Sequence, residues 1–286
     1  MSRSGAGRTA LITGCSSGIG RASALQLDSS GWRVFAGVRK PEDADALSAA
    51  GSSALTPLIL DISEPASIDE ARERIEREAG GSLDALVNNA GVAYSGPLEF
   101  VPLDDFRRQL EVNLVGHLAI TQAMVPALRL ARGRIVNVTS IGGLVATPFF
   151  GPYNASKYAL EALSDCLRVE LRPWGIETIA IEPGSVATPI WARGAEVFAQ
   201  MRERMAPGAV ELYGDAMEAM MRASIDTGER GIPPERAADA IERALGARWP
   251  RARYLVGRDA YGMAAASRLL PARLYDRLVA RTLKLP

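Results

Sequence analysis

The sequence has 286 residues, of which 48% are hydrophobic and 23% charged, with 33 basic and 33 acidic side chains. This balance excludes the disordered and fibrous classes and gives no indication of a nucleic-acid partner. Two cysteines and a single histidine exclude a disulfide framework, the usual histidine-based zinc sites and a Ser-His-Asp triad. We therefore expect no metal site and a cytoplasmic location, since residues 1–8 lack the apolar segment of a signal peptide and no apolar run matches a membrane span.

Short apolar runs alternate with helical patterns along the chain. The runs lack strict alternation of polar and apolar residues, which is typical of parallel strands buried on both faces. They span residues 9–13, 34–38, 58–60, 85–87, 135–138, 178–181 and 253–256. Helical patterns cover residues 65–79, 103–130 and 153–172, and the first of these begins at Pro65 and stops at Gly80. The order predicts one α/β domain over residues 1–286, a doubly wound parallel sheet with helices on both faces.

A glycine-rich segment, Thr13 to Gly20, follows the first predicted strand. Gly14, Gly18 and Gly20 lack a Cβ, so backbone N–H groups there can approach a pyrophosphate at the start of a helix. A tight turn is the alternative interpretation, and the position directly after the first strand counts against it.

Tyr153 and Lys157 lie four residues apart, so a helix places both on one face. A phenol has a pKa of about 10, and this pKa must fall by roughly three units for the group to transfer protons near neutral pH. A nearby ammonium group favours the phenolate. A Tyr-Lys pair without other motifs is usually a surface pair.

Four motifs in order resemble those of the short-chain dehydrogenase/reductase family. They are the glycine segment from Thr13 to Gly20, Asn88-Asn89-Ala90-Gly91, Tyr153 with Lys157, and Pro183-Gly184 with Thr188. The resemblance covers about residues 8–257 and is greatest to the hydroxysteroid and retinol dehydrogenase-like branch. It implies a Rossmann-type sheet of seven strands and an oxidoreductase that interconverts an alcohol and a carbonyl with a nicotinamide cofactor.

The resemblance also implies roles for individual residues at the cofactor. Asp61 would lie near adenine, with a helix-start residue as the alternative interpretation, and Asn89 would support the nucleotide. The full set of cofactor-binding residues is Gly14, Ser16, Ser17, Gly18, Ile19, Gly20, Arg39, Asp61, Asn89, Tyr153, Lys157, Pro183, Gly184 and Thr188.

At the reacting carbon, the resemblance implies Tyr153 as general acid/base and Lys157 as its charged neighbour and a ligand of the nicotinamide ribose. Ser140, which lies thirteen residues before Tyr153 as in the family, would hold the substrate oxygen. Asn113 would hold a water of a proton relay, with a packing or helix-kink role as the alternative. We assign His117 to packing or an interface, and Cys166 to a buried position.

The end of the second strand predicts the choice between the two nicotinamide cofactors. An acidic residue there binds the ribose hydroxyls of NAD, whereas an arginine accommodates the 2′-phosphate of NADP. Here Val38 stands at the acidic position, followed by Arg39 and Lys40. We therefore predict NADP(H), with solvated loop charges as the alternative interpretation.

Residues 185–231 predict a lid over the substrate. They contain five of the eight methionines and follow the sixth strand, where ligands of open α/β sheets bind. With Phe149, Phe150, Trp191 and Tyr213 they suggest a broad apolar pocket for a hydrophobic substrate such as a steroid, a retinoid or another lipid-like alcohol. The alternative is that these side chains form the core of the lid itself.

The C-terminal residues 258–286 predict a basic helical extension. From residue 248 onward the sequence contains nine Lys/Arg and only two Asp/Glu. Such a helix can rest on an anionic membrane surface, but packing on its own domain or on a partner is the favoured interpretation. The long helices at 103–130 and 153–172 commonly build oligomers in the family, so we expect a homo-oligomer.

The sequence leaves two alternative functions. One is a non-catalytic NADP-sensing or scaffold protein on the same fold, and the presence of Asn113, Ser140, Tyr153 and Lys157 together argues against it, since a sensor has no need for all four. The other is a membrane-associated lipid-binding protein that uses the basic C-terminal residues, which explains those residues and nothing else.

Overall fold

Seven parallel strands form the centre of the computed structural model, which describes residues 7–282. They are β1 (Thr9–Ile12), β2 (Arg33–Val38), β3 (Leu55–Ile59), β4 (Ala85–Asn88), β5 (Arg134–Val138), β6 (Glu177–Pro183) and β7 (Arg253–Val256). Their order across the sheet is β3-β2-β1-β4-β5-β6-β7, and each neighbouring pair is parallel. Every residue of β1, β4 and β5 is buried, which explains the uninterrupted apolar runs.

Helices cover both faces of this sheet. They are α1 (Gly18–Ser29), α2 (Pro41–Ser48), α3 (Pro65–Ala79), α4 (Leu103–Leu110), α5 (Gly116–Ala131), α6 (Gly151–Glu170), α7 (Ile190–Arg204), α8 (Gly208–Glu229), α9 (Pro234–Gly246), α10 (Arg258–Leu269) and α11 (Ala272–Thr282). One core layer joins the sheet to α1 and α9, for example through Leu27 and Ile241. The other joins it to α3 and α5, through Ile75 and Met124. The predicted doubly wound Rossmann-type fold is therefore confirmed.

The order in which the chain adds strands to the sheet reverses between β1 and β4. The chain winds outward from β1 through β2 to β3, then returns to place β4 on the other side of β1. Ligands of open α/β sheets bind at such a switch point, outside the carboxyl ends of the strands. The glycine segment follows β1 and Asn89 follows β4, so the topology brings both motifs to one place.

Two strand and helix boundaries show how local chemistry modifies the sequence interpretation. The third strand begins at Leu55, three residues earlier than predicted. The prediction started too late because Pro57 interrupts the apolar run in the sequence. Proline has no N–H to donate, and β3 tolerates it as an edge strand. Helix α3 has the predicted bounds, and Gly80 ends it in the left-handed conformation with φ 63°.

The predicted long helix at 103–130 is continuous but not uniform. Between α4 and α5 the chain forms a π-helical turn, Glu111–Val115, with Asn113 at its centre. By length and composition alone, Leu103–Ala131 is long and apolar enough to cross a membrane, contrary to our expectation. In the structure α5 packs on the sheet, where Ile120 and Leu128 are fully buried.

The last two described helices pack on the rest of the chain. In α10, Ala260 and Ala264 contact Ile141 and Val145, and Tyr275 of α11 joins the same cluster. Residues 1–6 of the predicted domain and residues 283–286 of the predicted extension lie outside the described residues. The prediction for Cys166 was wrong, because its position on α6 faces solvent.

Candidate active site

The three glycines of the segment from Thr13 to Gly20 have no room for a side chain. Gly14 and Gly18 adopt left-handed conformations with φ 72° and 57°, which favour glycine. A Cβ at Gly20 would lie 2.2 Å from the Gly14 carbonyl oxygen and 2.4 Å from the Asn89 amide nitrogen. The bare backbone therefore leads directly into the N-terminus of α1, as an anion site requires. Ser17 precedes α1, and its hydroxyl makes no capping hydrogen bond there.

Hydrogen bonds tie the loops after β1 and β4 into one unit. The Asn89 side-chain amide donates to the carbonyl oxygens of Thr13 and Gly14, at 2.9 and 3.1 Å. The Thr13 hydroxyl in return accepts from the backbone N–H groups of Asn89 and Ala90, both at 3.0 Å. Asn89 thus supports the glycine loop, and Thr13 is a supporting residue to which the sequence assigned no role.

The region after β2 and β3 holds the residues predicted to bind the adenosine end. Val38 is buried at the end of β2, and Arg39 and Lys40 are exposed beyond it. Asp61 accepts hydrogen bonds from the hydroxyl and N–H of Ser63, at 2.6 and 3.0 Å, in the turn that precedes α3. Burial works to raise the pKa of Asp61, but these hydrogen bonds and the charges of Arg39 and Arg108 hold it below its usual value.

Ser140 and Tyr153 come together across a turn that leaves little room for a side chain at Gly142. Ser140 follows β5, and Tyr153 lies in the first turn of α6. A Cβ at Gly142 would lie 3.2 Å from the Tyr153 ring and 3.4 Å from the Ser140 hydroxyl oxygen. The Gly142 N–H donates to that oxygen at 3.0 Å, which leaves the hydroxyl hydrogen free to donate. Burial raises the pKa of Tyr153, and its hydrogen bond with Ser140 opposes this.

Lys157 lies one turn after Tyr153 and is buried. Its ammonium donates to the Val138 carbonyl oxygen at 2.8 Å and lies 5.8 Å from the centre of the Tyr153 ring. Burial lowers the pKa of Lys157 to about 8, although the charge of Glu161 opposes the change. The expected lowering of the Tyr153 pKa is not present in this arrangement, because the ammonium is bound to a carbonyl and burial of the phenol dominates.

Asn113 holds two parts of the site together. Its side chain accepts from the Val92 N–H at 2.9 Å and donates to the Val92 carbonyl at 3.0 Å. It also donates to the Ser156 hydroxyl at 3.3 Å, and that hydroxyl donates to the Tyr153 carbonyl. The packing interpretation therefore describes the contacts of its side chain. Its part in a proton relay stays a prediction.

The segment after β6 is braced by a residue that the sequence analysis missed. Asp259, in the first turn of α10, accepts from the Ser185 N–H at 2.6 Å. A Cβ at Gly184 would lie 2.4 Å from the same carboxylate. Thr188 lies against the glycine loop, since its methyl group would be 2.9 Å from a Cβ at Gly18. No sequence pattern distinguishes Asp259 from an ordinary helix-start acid.

His117 has the packing role predicted for it. It is buried, and its Nε2 lies 2.7 Å from the Ala90 carbonyl oxygen, so the ring donates there. Burial and the charge of Lys157 lower its pKa to about 3, and the ring is neutral at physiological pH.

The segment predicted to be a lid contains helices α7 and α8, and its methionines are mostly internal. Met201, Met205, Met217 and Met220 are buried in a cluster that includes Phe149. The alternative interpretation, that these side chains form the core of the lid, therefore describes them. The cluster extends beyond the lid through Val101, and partly buried Phe150, Tyr213 and Met221 pack at its edge.

Phe149 joins this cluster to the segment between Ser140 and Tyr153. Its backbone has φ 67°, a left-handed conformation that bulky residues rarely adopt. Its carbonyl accepts from the Gly96 N–H at 2.6 Å, and its ring meets that of Tyr213 edge to face at 6.3 Å.

Comparisons with known proteins cover nearly the whole chain. Retinol dehydrogenase 5 of Mus musculus is 38% identical over 96% of this chain and 88% of its own. An NADPH-dependent 3-dehydrocapnine reductase of Ornithobacterium rhinotracheale is 34% identical over 97% of this chain and 98% of its own. The 17-beta-hydroxysteroid dehydrogenase type 6 of Bos taurus is 37% identical over 95% and 87%.

A solved structure gives the same result for the fold. A short chain dehydrogenase from Burkholderia cenocepacia, in complex with NADP, superimposes with a TM-score of 0.74 and 27% identity, over 96% of this chain and 99% of that one. The family model for short chain dehydrogenases matches residues 8–197, a stretch that includes the glycine loop, Ser140, Tyr153 and Lys157. The protein is therefore an oxidoreductase of the short-chain dehydrogenase/reductase family, with relatives in its retinol and hydroxysteroid branch.

Proposed function

We propose that this protein is an NADP(H)-dependent oxidoreductase that interconverts a carbonyl and an alcohol on an apolar substrate, with Tyr153 as the general acid/base. One observation carries the proposal: the Ser140 hydroxyl and the Tyr153 ring converge on one spot, since a Cβ at Gly142 would lie 3.4 Å from the hydroxyl oxygen and 3.2 Å from the ring. Two convergent hydroxyls at the carboxyl end of a central strand can hold one oxygen atom of a substrate.

The cradle at the switch point fits a dinucleotide. A side chain at Gly14, Gly18 or Gly20 would meet neighbouring protein atoms at less than 3.0 Å, so the close packing of this loop at the start of α1 requires glycine at all three positions. The residues that would hold the cofactor are Gly14, Ser16, Ser17, Gly18, Ile19, Gly20, Arg39, Asp61, Asn89, Tyr153, Lys157, Pro183, Gly184 and Thr188. When bound, the nicotinamide supplies or accepts a hydride at the carbon that bears the substrate oxygen.

The protein side chains manage the negative charge and the proton on that oxygen. The Ser140 hydroxyl accepts the Gly142 N–H and donates its own hydrogen to the substrate oxygen. Tyr153 donates a proton to the same oxygen in reduction and removes it in oxidation. The Lys157 ammonium stabilises the phenolate that results, and Asn113 fixes the first turns of α6 through Ser156.

The preference for NADP(H) rests on the end of β2. Val38 offers no carboxylate to repel a 2′-phosphate, and Arg39 presents a fork of donors next to it. Two comparisons support the same cofactor, because one relative is named an NADPH-dependent reductase and one structural neighbour contains NADP.

The apolar substrate class rests on the relatives more than on the lid. Retinol and 17-beta-hydroxysteroid dehydrogenases share more than a third of their residues with this chain. The buried methionines form the core of this segment, which leaves the partly buried Phe150, Tyr213 and Met221 as apolar surface at the edge of the cluster.

The proposal is tested by replacing Tyr153 with phenylalanine, which preserves shape and removes only the hydroxyl. Tyr153→Phe should fold and bind NADPH normally but lose at least about 100-fold in kcat, the lower range for general acid–base catalysis. Tyr158→Phe is the matched control, because Tyr158 lies on the same helix and is 43% exposed. Both are assayed by NADPH oxidation against a panel of ketones and aldehydes. Near-normal turnover of Tyr153→Phe would overturn the mechanism.

A further inference from the structure

Lys157 has a buried acidic neighbour one helical turn further along α6. Glu161 is 5% exposed and Lys157 4% exposed. A Cβ at Gly143 would lie 2.9 Å from the Lys157 carbonyl oxygen and 3.1 Å from the Glu161 Cγ. Because Gly143 also donates its N–H to the Ser140 carbonyl, the Glu161 side chain packs against the turn that carries Ser140.

Glu161 shares its cationic partner with a second buried carboxylate. The Arg253 Nε donates to Glu161 Oε2 at 3.0 Å and lies 3.2 Å from Glu182 Oε1. Glu182, on β6, is 1% exposed. Since Nε carries one hydrogen, it can serve only one of these oxygens, and Glu161 Oε1 and Glu182 Oε1 are buried without a hydrogen-bond partner. The other arm of Arg253 is bound to Asp165 at 2.7 Å.

Arg253 alone does not balance the charge of the two buried carboxylates. Two buried carboxylates compete for one guanidinium, which is costly unless their charge is reduced or compensated. Burial and then the charge of Glu161 raise the pKa of Glu182 to about 7, so that Glu182 holds a proton for much of the time at neutral pH. The charged groups around the pair are Lys157, Asp165 and Arg168 from α6, Arg253 from β7 and Arg268 from α10.

We propose that Glu161 is a positioning residue for the reaction: with Glu182 it forms a buried carboxylate pair, clamped by Arg253, that keeps the Lys157 ammonium charged. As the pH rises through neutrality, Glu182 loses its proton and the pair becomes more negative. This happens just below the range in which burial would remove the proton of Lys157. The pair therefore resists the loss of the charge on which the Tyr153 phenolate depends.

The inference rests on the proposed role of Lys157, but it can be tested separately from activity. The sequence has only three lysines, Lys40, Lys157 and Lys284. In protein labelled with ¹³C at the lysine ε-carbon, each gives one NMR signal that shifts as the ammonium loses its proton, and Lys157→Met assigns the buried one. The titration is followed in the full-length protein, with and without NADP⁺.

Lys157 of the unmodified protein should titrate near pH 8. In Glu161→Gln the midpoint should fall by about one pH unit, as expected for the loss of a nearby charge in a partly screened site. Glu182→Gln imitates the protonated carboxyl, and it should lower the midpoint by a smaller amount. Glu170→Gln, at the exposed end of the same helix, is the matched control and should leave it unchanged.

The alternative is that the pair only braces α6 against β6 and β7. In that case folded Glu161→Gln would show Lys157 titrating at the pH of the unmodified protein, and the proposal would be overturned. If Glu161→Gln does not fold, Glu182→Gln decides by the same criterion. In active protein, the pH at which kcat falls on the alkaline side should move with the Lys157 midpoint. Glu161→Asp, which keeps a carboxylate, should bring the midpoint most of the way back to that of the unmodified protein. Failure of Tyr153→Phe to lose turnover would refute the proposed function but leave the lysine titration intact.

Discussion

Replacing Arg39 with alanine should convert an NADPH-selective protein into one with much weaker selectivity. Arg39 is exposed directly after Val38, at the strand end that decides between the two cofactors. A charge-assisted hydrogen bond contributes about 1.5–3 kcal/mol. Exposure to solvent, and the Asp61 carboxylate within electrostatic reach of Arg39, place the contribution at the lower end of this range.

We therefore expect Arg39→Ala to weaken NADPH binding by about 1.5–2 kcal/mol, which is roughly a ten- to thirtyfold rise in Kd. The affinity for NADH should hardly change, because NADH has no 2′-phosphate. Both constants are measured by cofactor fluorescence at low and high salt, since screening should reduce the NADPH affinity of the unmodified protein more than its NADH affinity.

Arg72→Ala is the matched control for this experiment. Arg72 lies on α3, and its partly exposed side chain is paired with acidic residues on the same helix. Equal or tighter binding of NADH by the unmodified protein would refute the reasoning. An equal loss of both cofactors in Arg39→Ala would also refute it, because it would show that the arginine supports the loop and does not recognise the phosphate.

Three further predictions concern the lid, the glycine loop and the pH dependence of stability. Residues 185–231 should exchange amide hydrogens faster than the sheet in the free protein and slow down with NADP⁺ and product; protection equal to that of the sheet would contradict a mobile lid. Gly20→Ala should destabilise the protein, since its Cβ would lie 2.2 Å from a carbonyl oxygen, whereas Gly262→Ala in open space on α10 should stabilise it by about 1 kcal/mol in urea titrations. His117, with a pKa lowered from 6.5 to about 3, contributes stability that is present above pH 6.5 and is lost as the pH falls. Glu182, with a pKa raised from 4.5 to about 7, contributes stability that is lost as the pH rises through 7, so the two oppose each other between pH 4.5 and 6.5. The stability of the unmodified protein relative to His117→Gln should therefore increase from pH 5 to pH 7, and identical pH profiles would contradict this.

The positions of the strands along the chain and the main motifs could be predicted because they depend on local sequence. Apolar runs and turn signals identify buried parallel strands, and the topology then brings the ends of β1, β4 and β5 to one edge. Glycine at positions 14, 18 and 20 is a backbone requirement that sequence alone displays. The position of Tyr153 relative to Lys157 follows from helical spacing.

The remaining features depend on contacts between distant parts of the chain. The hydrogen bond from the Ser185 N–H to Asp259 joins residues 74 positions apart, and no sequence pattern near Asp259 predicts it. The π-helical turn at Asn113 accompanies side-chain hydrogen bonds to Val92, which helical periodicity does not predict. The burial of Met201 within the lid and the exposure of Cys166 also depend on which face each helix presents after packing.

The position of Phe149 means that the lid is not a transplantable module. Its ring belongs to the core of the lid, but its backbone belongs to the segment between Ser140 and Tyr153. Gly96 is a second shared element, because a Cβ there would lie 2.8 Å from the Met201 side chain while its N–H binds the Phe149 carbonyl. A chimaera that exchanges only residues 185–231 with a relative would set a foreign core against these two residues. We therefore expect that a transfer of substrate range between members of this branch requires exchange of the segments around Gly96 and Phe149 together with residues 185–231.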